Sequence, residues 1–210
     1  MTTGYTPHRS YRKLLPAPKQ LKPALLQKIA REAEHARAGK QALIRCKCNA
    51  LEDKDIVNAL YQASAAGVKI ELLVRDSCRL IAGRTGLSEN IRLKSIVGRF
   101  LEHGRIYHFY NAGEEEYFIG SADLMRRNLE SRVEVLVPVE KPELQGKLAA
   151  YLDRQLAEKW GAWEMLPDGS YQLCANPEQE MHCQELFIQQ AEQRAKAASQ
   201  LHHRKTKSLT

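Results

Sequence analysis

The chain has 210 residues, of which 43% are hydrophobic and 27% are charged, so it is long enough for a sizeable domain with a hydrophobic core. This composition excludes wholesale disorder and collagen-like repeats, and charges interrupt every apolar run before it reaches the roughly 18 residues of a membrane span. The first thirty residues contain no apolar stretch typical of a signal peptide, and five cysteines, an odd number, are not typical of a disulfide framework. We therefore expect a soluble protein of the cytoplasm.

The charges are unevenly distributed along the chain. Lysine and arginine total 32 against 25 aspartates and glutamates, which gives a formal net charge of +7. One basic stretch covers residues 1–45, and a second contains Arg75, Arg79, Arg84, Arg92, Arg99 and Arg105. Because the planar guanidinium binds phosphate oxygens in pairs, clustered arginines favour a phosphate-rich ligand, nucleic acid included. A basic surface that only keeps the chain soluble has the same composition.

The first half of the chain alternates between helices and strands. The pattern predicts a helix with Pro23 in its first turn, followed by a strand over residues 42–47. Asp53 is a candidate N-cap of a second helix that ends at Gly67, and residues 69–74 form the next strand. A strand, a helix and a strand in succession are typical of a βαβ unit, so we expect the two strands to be parallel.

The second half of the chain predicts more strands and then helices. After a loop with two glycines, the predicted strands cover residues 92–97, 105–110, 117–119 and 133–137. A long helix begins at Pro142, and a further helix covers residues 178–199. The sequence therefore predicts one α/β domain over residues 1–169, a mixed β-sheet flanked by helices. Residues 170–210 form a partly helical C-terminal extension with a frayed basic tail.

Two short segments carry residue types suited to phosphoryl chemistry. His103 precedes a strand, close to Arg105, and its ordinary pKa of about 6.5 allows it to accept or donate a proton. Gly120 and Ser121 follow a short strand and precede Asp123, at a junction where backbone N–H groups can approach an oxyanion closely. Taken singly, these segments are equally typical of a solvated histidine and of a plain strand-to-helix turn. Together, His-x-Arg and Gly-Ser-x-Asp indicate phosphoryl binding or transfer.

The two segments resemble the His-x-Lys and Gly-Ser-x-Asn halves of the phospholipase D superfamily motif, with Arg105 in place of the lysine and Tyr110 in place of the usual aspartate. A longer resemblance, over about residues 3–169, is to the C-terminal domain of bacterial polyphosphate kinases. The stretches that carry it in order are Tyr11-Arg-Lys-Leu-Leu, Glu34-His-Ala-Arg-Ala-Gly, Ile56-Val-Asn-Ala-Leu-Tyr, Leu73-Val-Arg, Ser95-Ile-Val-Gly-Arg-Phe-Leu-Glu-His and Asn128-Leu-Glu-Ser-Arg-Val-Glu-Val. The resemblance implies a single phospholipase D-like domain.

The resemblance also implies an activity. That family reversibly transfers the γ-phosphate of ATP to inorganic polyphosphate, with Mg²⁺, through a phosphohistidine. The phosphorylated histidine belongs to a preceding domain that this chain does not match, so we expect the isolated chain to be inactive. The implied partners are ATP or ADP, inorganic polyphosphate and the missing N-terminal domains of the same enzyme, and the ligands of Mg²⁺ are expected outside this chain.

The resemblance places specific residues at the site. The positions that the family uses on ATP map onto Arg75 and His103, and we expect His103 to donate a proton or a hydrogen bond. Arg75 follows a strand that we predict to be parallel, and ligands of α/β sheets bind beyond the carboxyl ends of such strands. Arg132 is a weaker candidate for a phosphate contact. Further candidates that line the site are Arg99, Arg105, Ser121, Asp123 and Asn128.

Two other functions fit the same residues. A phospholipase D-type phosphodiesterase or nuclease needs two copies of the histidine motif, and therefore a dimer of this chain, the homo-oligomer that this alternative predicts. A noncatalytic module that binds polyanions needs only the basic surface.

Overall fold

The computed structural model describes residues 11–174 and 181–207. Its strands are β1 (Leu15–Pro16), β2 (Leu43–Cys48), β3 (Lys69–Val74), β4 (Ile91–Ile96), β5 (Ile106–Phe109), β6 (Glu116–Gly120), β7 (Val135–Val139), β8 (Ala162–Met165) and β9 (Tyr171–Leu173). Its α-helices are α1 (Leu21–Arg37), α2 (Lys54–Ala65), α3 (Arg126–Glu130), α4 (Pro142–Ala157) and α5 (Cys183–Lys207), and a short 3₁₀ helix covers Asn111–Gly113. The strands form one mixed sheet in the order β1-β7-β6-β5-β2-β3-β4-β8-β9.

The register of the sheet brings separate parts of the chain to one edge. Strands β2, β3 and β4 are parallel, and Cys48 lies opposite Val74, so the residues after β2 and β3 leave the sheet side by side. Strand β5 is antiparallel to β2, so its first residue lies near the end of β2. Strands β6 and β7 continue the antiparallel pairing, with Gly120 opposite Leu136. The segments before β5 and β7 and after β2, β3 and β6 therefore meet at this edge.

Helices cover both faces of the sheet. Alternate side chains of each strand point to opposite faces, so Leu72 packs with α1 and α2, whereas its neighbour Leu73 packs against the α4 side. On the first face, Leu25 and Ile56 from these two helices are buried. On the second face, Leu152 of α4 is 1% exposed. The two apolar layers hold the sheet rigid, and the loops at its edge remain free to form a site.

A polar cluster fixes the N-termini of two helices. The Asp53 side chain accepts hydrogen bonds from the backbone N–H groups of Asp55 and Ile56, which makes it the N-cap of α2. Lys22 of α1 lies 2.9 Å from the Asp53 carboxylate, 2.7 Å from that of Asp55 and 2.6 Å from that of Glu130 on α3. Burial opposes the charge of Lys22, but these three carboxylates outweigh it and raise its pKa. The cluster joins α1, α2 and α3.

Most predicted elements are confirmed within a few residues of their expected ends. The predicted βαβ unit is present as β2, α2 and β3, with Asp53 as the cap and the parallel pairing that was expected. The sequence did not predict β1 or β8. Strand β9, which begins beyond residue 169, pairs with β8 in the same sheet. Helix α5 begins at Cys183 and extends to Lys207, beyond the predicted end at residue 199 and into the tail predicted to be frayed, whereas residues 175–180 and 208–210 lie outside the described part. Within the described residues, no helix is long and apolar enough to cross a bilayer.

Candidate active site

A cavity of about 540 Å³ lies at the sheet edge where the loops meet. Of the residues singled out in the sequence, it is lined by Arg75, His103, Arg105, Ser121, Asp123, Asn128 and Arg132. Its other lining residues include Asn49, Asp76, Ser77, Met125, Arg127 and Glu134. A cavity of this volume is typical of a site for a small molecule. Arg75 and His103 therefore line the same cavity.

Asn49 connects the two principal candidates. This residue directly follows β2 and is 6% exposed. Its amide oxygen accepts a hydrogen bond from Nε of Arg75 at 3.1 Å, and its Nδ2 lies 3.5 Å from Nδ1 of His103. Its backbone N–H donates to Oδ1 of Asp123 at 2.7 Å, and Nδ2 also lies 3.5 Å from Oδ2 of Asp123. One buried amide therefore touches an arginine, a histidine and a carboxylate that come from three separate segments.

These contacts indicate which of the two ring nitrogens of His103 carries the proton. The guanidinium of Arg75 can only donate, so the Asn49 oxygen must face it, and the amide NH₂ then faces Asp123 and His103. An NH₂ group cannot accept a hydrogen bond, so Nδ1 of the neutral His103 ring is the acceptor. The ring proton is then on Nε2. His103 is exposed, and its Nε2–H is available to a ligand in the cavity.

Asp123 and Arg105, which both line the cavity, form an ion pair. Nε and Nη2 of Arg105 donate to the two oxygens of Asp123 at 3.1 and 2.8 Å, a bidentate pair. Burial opposes ionisation of Asp123, but the Arg105 hydrogen bonds and the Asn49 backbone N–H outweigh it, so its pKa is lowered. Arg105 also donates through Nη1 to the backbone oxygen of His103 at 2.7 Å. Arg105 therefore holds the His103 backbone, and its charge is largely neutralised by Asp123.

Ser121 and Asn128 line the cavity, but their polar groups are bound to the segment around β7. The Ser121 hydroxyl donates to the carboxylate of Glu134, and its backbone N–H donates to the carbonyl of Val135 at 3.2 Å. Nδ2 of Asn128 donates to the same carboxylate at 2.8 Å. A Cβ atom on Gly120 would lie 2.0 Å from the Val135 carbonyl oxygen, so this glycine is required by strand packing. In this structure the Ser121 hydroxyl and backbone N–H are therefore bound to the segment around β7, and the predicted approach of Gly120 and Ser121 to an oxyanion stays a prediction.

Three guanidinium groups at the cavity have no ion pair to a carboxylate among the described residues. They belong to Arg75, Arg127 and Arg132. Arg75 donates to Asn49 through its Nε. Its two Nη groups make no hydrogen bond to any described residue. Three unpaired guanidinium groups beside one histidine favour a ligand with several negative oxygens.

Comparison with known proteins decides the family. The family named polyphosphate kinase C-terminal domain 2 matches residues 14–184. This chain belongs to that family. It is 48% identical over 191 residues to the polyphosphate kinase of Synechocystis and 47% identical over 192 residues to that of Dictyostelium discoideum. These matches cover 90% and 91% of this chain but 26% and 18% of the relatives, so the chain spans about a quarter of the length of its relatives or less.

Solved structures support the same assignment. The crystal structure of polyphosphate kinase from Porphyromonas gingivalis matches with a TM-score of 0.83 and 34% identity, over 90% of this chain and 29% of that chain. NucT from Helicobacter pylori matches with a TM-score of 0.51 and 16% identity, over 68% of this chain and 93% of that chain. The second likeness shows a common fold alone. The domain therefore has the fold class that the sequence predicts, a mixed β-sheet flanked by helices, and it shares this fold with both solved structures.

One predicted site residue lies elsewhere in this polyphosphate kinase domain. Arg99 was expected to line the site, but it is not among the lining residues of the cavity in the described ranges. Its side chain is 66% exposed and pairs with Glu185 of α5 at 3.4 Å. Three residues of loop separate Arg99 from His103, and in this structure the arginine turns away from the cavity toward Glu185. Conversely, Asn49 was missed, although its place at the carboxyl end of a parallel strand is a usable signal.

The described carboxylates at the cavity do not fit a protein-built Mg²⁺ site. Asp123 is paired with Arg105, and Glu134 is bonded to Ser121 and Asn128. This leaves Asp76 as the lining carboxylate without a side-chain bond to a described residue, whereas Mg²⁺ demands six ligands in a strict octahedron.

Two other clusters also lack the character of a metal site. Asp53, Asp55 and Glu130 bring carboxylate oxygens within 4.8 Å of one another, but the ammonium of Lys22 already lies among them. Cys183 approaches His182 and Glu158, but both Glu158 oxygens already accept hydrogen bonds from backbone N–H groups, those of Lys159 and Trp160 at 2.9 Å and that of Cys183 at 2.5 Å.

Proposed function

We propose that this chain supplies the ATP-binding half of the active site of a polyphosphate kinase. In this proposal the enzyme reversibly transfers the γ-phosphate of ATP to inorganic polyphosphate through a phosphohistidine on another domain of the same enzyme. The observation that carries the proposal is the single cavity that Arg75 and His103 line together and that Asn49 connects. Membership of the polyphosphate kinase C-terminal domain family supports the choice of substrate.

Arg75 is the proposed clamp on the phosphates. Its Nε is bound to Asn49, which fixes the plane of the guanidinium and leaves both Nη groups for the ligand. Two parallel N–H donors match two oxygens of one phosphate group. Because no described carboxylate pairs with Arg75, its charge is available to oppose the charge that develops on the transferred group.

His103 is the proposed catalytic residue of this half. When the bond between the bridging oxygen and the γ-phosphorus breaks, negative charge develops on the oxygen that stays with ADP. The Nε2–H of His103 would donate to that oxygen, while the incoming histidine nitrogen of the other domain forms the new bond to phosphorus. In the reverse direction the same hydrogen bond orients ADP. Asn49 keeps Nδ1 occupied, so the proton stays on the nitrogen that faces the ligand.

Arg127 and Arg132 extend the positive surface beyond these two residues. Both are exposed and line the cavity. We assign them to contacts with the outer phosphates, which add affinity that depends on salt. Mg²⁺ accompanies ATP in this proposal, and no step is derived through it, because the cavity does not offer its ligands.

A chimeric enzyme tests the proposal. Residues 14–184 would replace the matching segment of the Synechocystis polyphosphate kinase, which is 48% identical. We expect the chimera to make polyphosphate from Mg·ATP. Changing Arg75→Ala or His103→Ala in the chimera should lower the rate at least about a hundredfold, since each removes a group that acts on the transferred phosphate. Arg99→Ala is the matched control and should leave the rate within about twofold, because Arg99 lies outside the cavity.

Two results would point to the other functions. Hydrolysis of a simple phosphodiester by the chain alone, lost in His103→Ala, would favour a phosphodiesterase. Salt-sensitive binding of both DNA and polyphosphate that is unchanged in Arg75→Ala and His103→Ala would favour a noncatalytic polyanion-binding module. A folded chimera that makes no polyphosphate contradicts the proposed function.

A further inference from the structure

The loop between β4 and β5 carries His103, and one of its side chains is turned inward. Every residue from Val97 to Gly104 is exposed except Glu102, whose side chain is 18% exposed. Glu102 directly precedes His103. A carboxylate that is largely buried on an otherwise exposed loop needs several hydrogen-bond donors, because they offset the free-energy cost of burying its charge.

Glu102 receives these donors from three elements. Its Oε2 accepts from the hydroxyl of Tyr151 at 2.5 Å, from Nε2 of Gln155 at 2.6 Å and from Nζ of Lys47 at 2.9 Å. Its Oε1 accepts from Nε2 of Gln184 at 2.9 Å. Lys47 belongs to β2, Tyr151 and Gln155 belong to α4, and Gln184 belongs to α5; all of them except Tyr151 are buried. Burial opposes ionisation of Glu102, but Lys47 and the hydrogen bonds outweigh it and lower its pKa to about 2.

Gln184 also binds the backbone of the same loop. Its Oε1 accepts from the N–H of Phe100 at 2.8 Å, and its Nε2 donates to the Phe100 carbonyl at 2.9 Å. Gly98 passes so close that a Cβ atom there would lie 2.5 Å from Oε1 of Gln184. On the other side of His103, Arg105 donates to the His103 carbonyl. The loop is therefore held on both sides of the histidine, and α5 contributes through Gln184 to the attachment that precedes His103.

We propose that Glu102 is a positioning residue for His103, and that α5 takes part in the site by holding Glu102 and Phe100 through Gln184. The expected effect on ATP binding rests on the proposed function, whereas the positioning of His103 by Glu102 does not. The physical reason is that His103 has an exposed ring on an exposed loop, so its place opposite Arg75 depends on the residues that fix its backbone. This gives the beginning of the C-terminal extension a role in the site, and the family match reaches residue 184.

The test measures the motion of one imidazole ring. The full 210-residue chain is labelled on histidine with ¹³C and ¹⁵N, and the His103 signals are assigned with His103→Gln. Ring relaxation is then compared in the unsubstituted chain, in Glu102→Gln and in Gln184→Ala. Glu185→Ala is the matched control, because it lies on the same helix but contacts the exposed Arg99. The affinity for Mg·ATP is measured on the same samples by calorimetry.

We expect both loop variants to increase the nanosecond motion of the His103 ring and to weaken Mg·ATP binding about tenfold, with Glu185→Ala unchanged in both. An unchanged ring relaxation in the folded variants overturns the proposal, whatever happens to their melting temperatures. Because relaxation is measured without ATP, a chain that binds no ATP would contradict the proposed function while the motion still decides the role of Glu102. If Glu102→Gln fails to fold, the ring relaxation of Gln184→Ala decides the proposal. This variant is expected to fold, because Glu102 keeps its other three donors.

Discussion

Asn49 contacts Arg75, His103 and Asp123, so one buried amide connects the arginine, the histidine and the carboxylate that line the cavity. It has no distinctive motif, and its only signal is that it follows a strand predicted to be parallel. Arg75 and His103 could be named in advance because of the family resemblance. Their hydrogen bonds could not, because these depend on register between strands that are distant in sequence. The same holds for Arg99, which the sequence placed close to His103 and which the loop turns toward Glu185.

Replacing Asn49 by aspartate should change the ring proton of His103. The carboxylate keeps the shape but removes the NH₂ group that faces Nδ1, so we expect the ring proton to shift toward Nδ1 or the ring to become charged. The new charge also pairs with Arg75, so Mg·ATP binding should weaken about tenfold or more. Nitrogen chemical shifts of the labelled His103 ring and calorimetry measure the two effects. Asn58→Asp, the same change at an exposed position on α2, should alter neither, and an unchanged ring tautomer in Asn49→Asp would contradict this account.

The stability of the fold should depend on pH through Glu102. Its pKa is lowered from 4.5 to about 2, so its charge stabilises the fold above pH 4.5, and this contribution is lost as the pH falls toward 2. Between pH 5 and pH 2 the free energy of unfolding of the unsubstituted chain should fall by about 2–3 kcal/mol more than that of Glu102→Gln. Urea unfolding across this range measures the difference. Glu143→Gln removes an exposed glutamate and should show a much smaller difference, whereas parallel pH curves for Glu102→Gln and the unsubstituted chain would refute the prediction.

Among the elements, those with strong local signals were predictable and those defined by pairing were not. Helix α2 has a side-chain cap, a buried face and a terminal glycine, and its place was predicted correctly. Strand β1 has only two residues, one of them a proline, and β8 is four residues long, so neither has a periodic pattern to detect. The position of β5 between β2 and β6 also has no local signal, although this order brings the His103 loop beside Asn49.

Removing the N-cap of α2 should lower the free energy of unfolding more than removing a neighbouring charge does. Asp53→Ala deletes two hydrogen bonds to the helix N-terminus and one buried partner of Lys22, so the free energy of unfolding should fall by about 2 kcal/mol. Asp55→Ala is the control, because Asp55 is an exposed partner of Lys22 that caps nothing, and it should cost less than about 1 kcal/mol. Urea unfolding at neutral pH measures both values. Equal losses for the two variants would show that the cap is not the larger contribution.

On the scale of the whole molecule, the candidate site lies at one edge of the sheet, in a chain that is shorter than its relatives. Arg75 and His103 line a cavity at the edge of the sheet, and the chain matches only 26% of the length of the Synechocystis enzyme. The family resemblance placed the phosphorylated histidine on another domain, and no contact within the described residues tests that expectation. That another domain carries the phosphorylated histidine therefore stays a prediction. Labelling of the protein with radioactive ATP can check it.

The isolated chain should not become phosphorylated. Incubation with Mg·ATP that carries ³²P in the γ position should leave no acid-labile label on the protein, because the proposal makes His103 a hydrogen-bond donor and not the nucleophile. The chimera described above should carry such a label under the same conditions. Strong acid-labile labelling of the isolated chain, lost in His103→Ala, would reassign His103 as the nucleophile.

The most direct measurement is the affinity of the isolated chain for Mg·ATP, compared with Mg·ADP and AMP, in the unsubstituted chain and in Arg75→Ala, His103→Ala and Arg99→Ala. The account predicts that affinity increases with the number of phosphates. It also predicts that Arg75→Ala and His103→Ala each lower ATP affinity about tenfold or more, while Arg99→Ala stays within about twofold. Equal affinity for the three nucleotides, or ATP binding that survives both Arg75→Ala and His103→Ala, would contradict a triphosphate site at this cavity.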